Sequence, residues 1–276
     1  MTARHHSFRV GSMECMVLLD GTTHLGVEGT MGRFPTLTEA DCRQGFADMG
    51  LSLEEADDYF NILLMKIGDQ IVLVDAGEGG RPDGGLMPES LEQAGIAPQA
   101  VTMIVITHAH TDHIMGLLSH NGEAVFPNAT YVISSPEYAF WQQRIDNGAE
   151  ALRPLLEMVQ TKGLRCIDQT EQILSGLTAV PLTGHTPGQI GLLLESDGAR
   201  LMHMADLLHS PMQLAHPEWS PKYDLDTSLS VPTRRATLQR AADEGLLTLF
   251  YHLSFPGLGH VKPGSVGFAW EPIAKV

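Results

Sequence analysis

The sequence contains no long apolar run. Its longest apolar stretches, such as Ile71–Val74 and Met103–Ile106, fall far short of the ~20 residues that cross a bilayer, so no membrane span is expected. The opening residues, MTARHHSFRV, lack an apolar core and a small-residue cleavage site, so no secretory signal is read there and the cytoplasm is the expected location. Cysteine is scarce. Cys15, Cys42 and Cys166 are odd in number and show no CxxC spacing, which argues against a disulfide framework or a thiolate zinc knuckle and leaves three inert thiols. Basic residues are also few, 17 against 33 acidic ones for a net charge of -16. Such a surface repels phosphate backbones, so nucleic acid is not an expected partner. No Pro/Ser/Gly linker, repeat or low-complexity tract divides the chain, and a single domain over residues 1–276 is expected.

With 43% hydrophobic and 18% charged residues, the chain has the composition of an ordinary globular protein and not of a disordered or collagen-like one. Asn61–Lys66, the turn Gly68-Asp69 and Gln70–Val74 read as a hairpin running into the loop DAGEGG. Further strands are expected at Val101–Thr107, Thr130–Ser134, Gln189–Leu194, Arg200–Met204 and Leu247–Tyr251. Helices fall between them. Ser135 and Pro136 read as N-cap and first residue of a helix through Trp141, because proline loses nothing where the N–H is unpaired anyway. Leu152, Leu155, Leu156 and Val159 repeat at helical spacing, and Thr233–Glu244 closes at Gly245, a natural residue after a helix end. Residues 31–60 stand apart, with capping-box patterns at Thr38-x-x-Asp41 and Ser52-x-x-Glu55 and apolar Phe34, Phe46, Met49, Leu51 and Phe60. They read as a helical flap over the core that also offers a wall to a small-molecule pocket.

The chemistry concentrates in Ile104-Val-Ile-Thr-His108-Ala-His110-Thr-Asp112-His113, an apolar strand that ends in four potential ligands. Alternation along an extended chain puts His108 and His110 on one side, and the turn that follows delivers Asp112 and His113 to a second position nearby. Three imidazoles and a carboxylate make a poor core and a wasteful surface, whereas they suit a divalent cation such as zinc. Further ligands follow where such a site needs them. His185 lies in the turn Thr183-Gly-His-Thr-Pro-Gly188, Asp206 follows the strand Arg200–Ala205, and His252 follows Leu247–Tyr251.

The other histidines fit less well. His5, His6, His24, His120 and His216 lack neighbouring ligand spacing and read as exposed or core residues, and His203 alternates with apolar neighbours in a strand. His260 competes with His252 as the late ligand but comes after Pro256-Gly257 and Leu258-Gly259, well past the strand end. His209, three residues beyond Asp206, reads equally as a substrate contact at the pocket rim or a structural hydrogen bond.

The ordered set HAHTDH, GHTPG, Asp206 after a short strand and His252 after a late one resembles the metallo-β-lactamase superfamily over roughly residues 60 to 260. The resemblance implies an α/β fold, an αβ/βα sandwich of two mixed sheets flanked by helices, with two metal ions at one edge. It makes His108, His110 and His185 ligands of the first metal and Asp112, His113 and His252 ligands of the second, with Asp206 bridging. Asp75 matches a position that supports metal-bound histidines from behind, although Asp is also favoured in turns. Zinc is the expected metal, with iron, manganese and cobalt as alternatives. A homodimer is one option for the assembly.

Within the superfamily, a Cys at the place of Asp206, a Glu for the second His, or a basic helical region after the last ligand would point to lactamases, flavodiiron oxidoreductases or glyoxalase II, and none is seen. The charge argues against the RNA-processing branch. What remains resembles the N-acyl homoserine lactonase and methyl parathion hydrolase group. The implied activity is hydrolysis of a lactone or related ester by a metal-bridging hydroxide, of quorum-quenching type. Asp112 or Asp206 would manage the proton, and His209 stands where such lactonases often carry Tyr. Organophosphate triester hydrolysis is the alternative, and a catalytically silent metal-binding domain the reading from another class.

Overall fold

A strand presents alternate side chains to its two faces, so a strand covered on both sides is apolar throughout. Residues 62–65 of the strand Asp57–Ile67 are of this kind: Ile62 and Leu64 enter one core with Phe60, and Leu63 and Met65 enter another. The computed structural model, which describes residues 4–79 and 85–273, shows two seven-stranded sheets.

The first half of the chain forms β1 (His5–Val10), β2 (Met13–His24), α1 (Gly26–Arg33), α2 (Glu39–Asp48), β3 (Asp57–Ile67), β4 (Gln70–Val74), α3 (Met87–Gln93), β5 (Met103–Ile106), α4 (Thr111–Ile114), β6 (Thr130–Ser134), α5 (Ser135–Asp146), α6 (Arg153–Gly163) and β7 (Leu164–Ile167). The second half adds β8 (Gln172–Leu174), β9 (Leu177–Pro181), β10 (Ile190–Ser196), β11 (Ala199–His203), α7 (Met212–Ala215), α8 (Thr227–Asp243), β12 (Leu247–Leu249), β13 (Leu258–Pro263) and β14 (Phe268–Pro272). In the first sheet, β1 to β7 lie in sequence order, antiparallel as far as β4 and parallel from there. The second runs from β14 back to β8, antiparallel except for β11 beside β12.

Between the sheets, Val17, Leu63, Val72 and Val105 pack with Leu177, Ile190, Leu192 and Leu201. On the outer face of the first sheet, Ile62, Ile104 and Ile133 share a core with Trp141, Ile145 and Val159 of α5 and α6. On that of the second, Leu193 and Met202 share one with Leu238 and Ala241 of α8. This is the helix–sheet–sheet–helix sandwich that the motifs implied.

The parallel strands determine where chemistry can occur. Val74 pairs with Val105, and Val105 with Val132, so the loops after β4, β5 and β6 emerge at one edge. In the second sheet His203 pairs with Leu249, bringing the segments after β11 and β12 to a common edge. Ile190 N donates to Thr107 O at 3.1 Å, which joins the two edges. At two of these exits the backbone is left-handed without glycine, at Asp75 (φ 66) and Ala205 (φ 44). Asp tolerates that region, whereas Ala205 is strained there, one residue before Asp206.

Several boundaries differ from the sequence reading. The helix after β6 is capped by Ser134, whose Oγ accepts from Glu137 N, and not by Ser135, so Pro136 is its second residue. The late helix begins at Thr227, not Thr233, because Asp226 accepts from Ser228 N at 2.9 Å and starts it ahead of Pro232. β12 stops at Leu249, because Phe250 N turns to Gly257 O and Tyr251 O accepts from Asn61 N. In the 31–60 segment Thr38 and Asp41 form the capping box, while Ser52 makes no side-chain cap and residues 57–60 belong to β3. Phe34, Phe46, Leu53 and Cys42 close their own small core against Met212, but Leu51 is exposed. Cys15 and Cys42 are buried and Cys166 exposed, all unpaired. Gly80, the last residue of the DAGEGG loop, lies outside the described residues. Among those described, no helix is long and apolar enough to cross a membrane.

Ser134 also donates from Oγ to Gly188 O at 2.6 Å. Replacing Ser134 by Ala removes a cap and a buried hydrogen bond, and a loss of about 2 kcal/mol is expected by urea unfolding at unchanged m-value. A loss below about 0.5 kcal/mol would show that the hydroxyl caps nothing.

Candidate metal centre

The loop after β5 is fixed from its first residue. Thr107 is buried and gives its N–H to Asp75 Oδ1 (2.8 Å) and its hydroxyl to Asp75 Oδ2 (2.7 Å). From this anchor the chain passes through His108 and His110 into the single turn of α4, where Ala76 N donates to His113 O at 2.7 Å. His185 comes from the turn between β9 and β10. Gly184 (φ 122) and Gly188 flank it for a steric reason: a Cβ would stand 2.1 Å from Ser230 N at the first and 2.0 Å from Glu137 N at the second. Asp206 follows β11, and His252 follows β12 in a segment held by Asn61, whose Nδ2 donates to Phe250 O (3.1 Å) and Leu253 O (2.6 Å).

These seven residues converge as two groups that share a member. His108, His110, His185 and Asp206 form one, and Asp112, His113, Asp206 and His252 the other, with the ligand atoms of each within 4.8 Å of one another. Asp206 Oδ2 lies 3.6 Å from His108 Nε2, 3.4 Å from His185 Nε2 and 3.3 Å from His252 Nε2, while Oδ1 lies 3.1 Å from His113 Nε2. His110 takes part through Nδ1, 3.0 Å from His108 Nε2 and 2.8 Å from His185 Nε2.

Behind the histidines stands a second layer, mostly carboxylates. His113 Nδ1 is 2.8 Å from Asp75 Oδ2, His185 Nδ1 3.1 Å from Asp224 Oδ1, and His252 Nδ1 2.9 Å from Asp58 Oδ1. His108 Nδ1 meets Thr107 Oγ1 at 3.2 Å. Each ring therefore keeps its other nitrogen for the centre, which is how metal-binding histidines are oriented. Tyr251 stacks on His113 at 4.1 Å and donates its hydroxyl to Asp112 O at 2.6 Å.

The electrostatics divide the histidines. Burial, reinforced by neighbouring imidazoles, drives His108 and His110 well below the usual histidine range. Burial also opposes charge on His113 and His252, yet Asp206, Asp112 and Asp75 hold the first well above that range, and Asp58 and Asp206 raise the second to about 10. Burial disfavours a charged Asp206 too, but His113 and His252 hold it well below the carboxylate range. Positive charge is thus favoured where the carboxylates meet. His113 Nε2 and Asp206 Oδ1 are buried and lack a hydrogen-bond partner despite their proximity. Unpaired buried polar atoms are costly, and two tetrads of His and Asp around them suit divalent cations.

The centre opens into a cavity of about 480 Å³ lined by His110, Asp112, Asp206 and His252 together with Phe60, Glu78, Arg33, Arg144, His209 and Tyr223. The 31–60 segment therefore contributes Arg33, Asp58 and Phe60 to the wall. His209 is buried, with Nε2 3.2 Å from Asp206 Oδ2 and its ring 4.8 Å from that of His185; burial brings it down to about 3. His203 lies beneath the site with Nδ1 3.4 Å from Ala205 N, and burial lowers it to about 4. His260 sits in β13 with Nδ1 3.0 Å from Leu246 O, and His216 pairs with Asp48 at 2.7 Å.

Sequence reasoning missed Asp58, Asp224 and Glu137. Asp58 carries a weak signal, as an acid opening the apolar run of β3. Glu137 carries none. It is fully buried, and its carboxylate accepts from Ala109 N (2.9 Å), Gly188 N (3.1 Å) and Thr186 Oγ1 (2.6 Å). It thereby ties the loop of His108 and His110 to that of His185. Replacing Glu137 by Ala leaves three buried donors unpaired, and a loss of about 3 kcal/mol in unfolding free energy is expected for the chelated protein. A loss under about 1 kcal/mol would show that the two loops hold together without it.

Three comparisons bear on this architecture. A solved structure described as AidC, a dizinc quorum-quenching lactonase in complex with its product N-hexanoyl-L-homoserine, superposes with a TM-score of 0.89 at 29% identity, covering 99% of this chain and 98% of that one. An N-acyl homoserine lactonase of Bacillus cereus is 24% identical over 160 residues, which is 50% of this chain and 59% of the relative, less than two thirds of its length. A ribonuclease Z of Pyrobaculum aerophilum is 48% identical over 46 residues, 17% of this chain and 14% of that protein. The sequence pattern of the metallo-beta-lactamase superfamily matches residues 58–252, the stretch from Asp58 to His252 that contains both ligand groups, and the chain belongs to that superfamily.

Proposed function

We propose that this protein is a metal-dependent hydrolase that opens the ring of an N-acyl homoserine lactone or a closely related ester. The observation that carries the reading is the sharing of Asp206 by two four-membered His/Asp groups at the floor of an open cavity. His108, His110 and His185 would hold one divalent cation, Asp112, His113 and His252 a second, and Asp206 would contact both. Zinc suits this donor set, and the similar AidC structure is a dizinc one. When bound, such cations supply a water of lowered pKa and a Lewis acid for the carbonyl oxygen.

The chain's own residues do the rest. Asp112 is the least buried carboxylate of the two groups, its side chain 23% exposed, and it faces the cavity. It takes the proton of the attacking water and returns it to the departing alkoxide. His209 is kept neutral by burial and offers its imidazole to the substrate beside Asp206. Phe60 and Tyr223 give the cavity an aromatic wall for an acyl chain. Support for the lactone comes from the AidC product complex. Organophosphate triester hydrolysis is the second reading, favoured by an imidazole at 209 where quorum-quenching lactonases often carry a phenol.

Initial rates on short- and long-chain acyl homoserine lactones and on paraoxon-type triesters, before and after chelation, separate these readings. Lactone turnover that exceeds triester turnover, disappears with chelator and returns with zinc is expected; the reverse order of substrates overturns the lactone assignment. Asp112→Asn is expected to lower kcat by about 100-fold or more, and full kcat in this variant would remove Asp112 from proton transfer.

A further inference from the structure

Two buried arginines, Arg234 behind the centre and Arg33 at the cavity wall, have no role in the proposed reaction. Arg234, on α8, gives Nη2 to Asp224 Oδ2 (2.6 Å), Nε to Leu207 O (2.8 Å) and Nη1 to Pro217 O (2.9 Å). Asp224, steadied also by Ser230 Oγ at 2.7 Å, presents its other oxygen to His185. Arg33, the last residue of α1, pairs through Nη2 with Asp58 Oδ2 and gives Nη1 to His209 O at 3.0 Å. Asp58 presents its other oxygen to His252.

The two arrangements repeat one design from opposite ends of the chain. A guanidinium holds one oxygen of a buried carboxylate, the other oxygen orients a histidine, and a second guanidinium nitrogen binds the backbone just beyond Asp206, at Leu207 or at His209. His185 belongs to one ligand group and His252 to the other. We infer that Arg234 and Arg33 are positioning residues, each serving one of the two metal groups, and that together they fix the segment carrying the shared Asp206.

The side chains of Arg234 and Asp224 are 1% and 0% exposed, and those of Arg33 and Asp58 10% and 4%. Without its arginine, either carboxylate is a buried charge with no partner to hold it toward its histidine, and the imidazole loses its fixed orientation. Lysine cannot substitute, because one ammonium does not match the forked directions of the guanidinium.

The inference rests on the metal reading above, and its test separates the two. Zinc is titrated into the stripped full-length protein against a chromophoric chelator, and occupancy at each group is read from anomalous diffraction at the zinc edge. The unsubstituted protein is expected to bind two equivalents; binding none overturns both readings. Arg234→Met is expected to weaken zinc about 10–100-fold and to deplete the His108/His110/His185 group, and Arg33→Met to deplete the Asp112/His113/His252 group. Arg→Lys is expected to rescue neither. Two tight equivalents in both Met variants, or equal loss from both groups in each, overturns the inference while leaving the metal reading intact. If a Met variant does not fold, Asp224→Asn and Asp58→Asn are held to the same selectivity.

Discussion

The carboxylate of Asp206 is the constraint on which the rest of the site depends. It is 2% exposed and lies among imidazole nitrogens of His108, His113, His185, His209 and His252. An isolated carboxylate at that depth is very costly to leave charged, so its environment has to be supplied by surrounding cations or by cation-favouring groups. The chain meets this requirement in layers. Imidazoles face the carboxylate, the carboxylates of Asp75, Asp58 and Asp224 stand behind three of them, and Arg33 and Arg234 neutralise the last two. Charge alternates outward from the centre until backbone carbonyls end the sequence.

Such an arrangement needs scaffolding that holds side chains from distant parts of the chain to within a few tenths of an ångström. The parallel strands provide it for the first half of the site, because the loops after β4, β5 and β6 leave at one edge. The pairing of β11 with β12 provides it for the second half. Backbone strain at Ala205 (φ 44) is tolerated beside Asp206, where the arginine-held segment over-determines the turn.

How much of this was legible in the sequence follows from distance along the chain. The run from His108 to His113 is contiguous, so its meaning survives without knowledge of the fold. His185, Asp206 and His252 each follow a strand or occupy a glycine turn, and punctuation of that kind is also readable. Asp58, Asp224 and Glu137 are different, because they act on residues 28 to 194 positions away, and beyond the acid that opens β3 at Asp58 no local pattern marks them. The same holds for elements. The hairpin of β3 and β4 and the strand at 130–134 announce themselves by turn residues and β-branching, whereas β1 and β2 are ordered by register against β3 and went unread. The one-residue error at Ser134 has a local cause: two adjacent serines both precede Pro136, and only the geometry of Glu137 N chooses between them.

The site lies across the seam between the two sheets, with residues from the first sheet's edge on one side and from the second's on the other, joined by Ile190 N to Thr107 O and by Glu137. Neither half of the chain can assemble either group alone, since each takes two residues from the first half and two from the second. A cation held by these groups would be captured only as the two halves dock, and would act as a reversible cross-link between segments far apart in the sequence, the role that disulfides play in cysteine-rich chains. During synthesis the first half emerges with His108, His110, Asp112 and His113 but without His185, Asp206 and His252, so neither group is complete until the later strands have closed the seam.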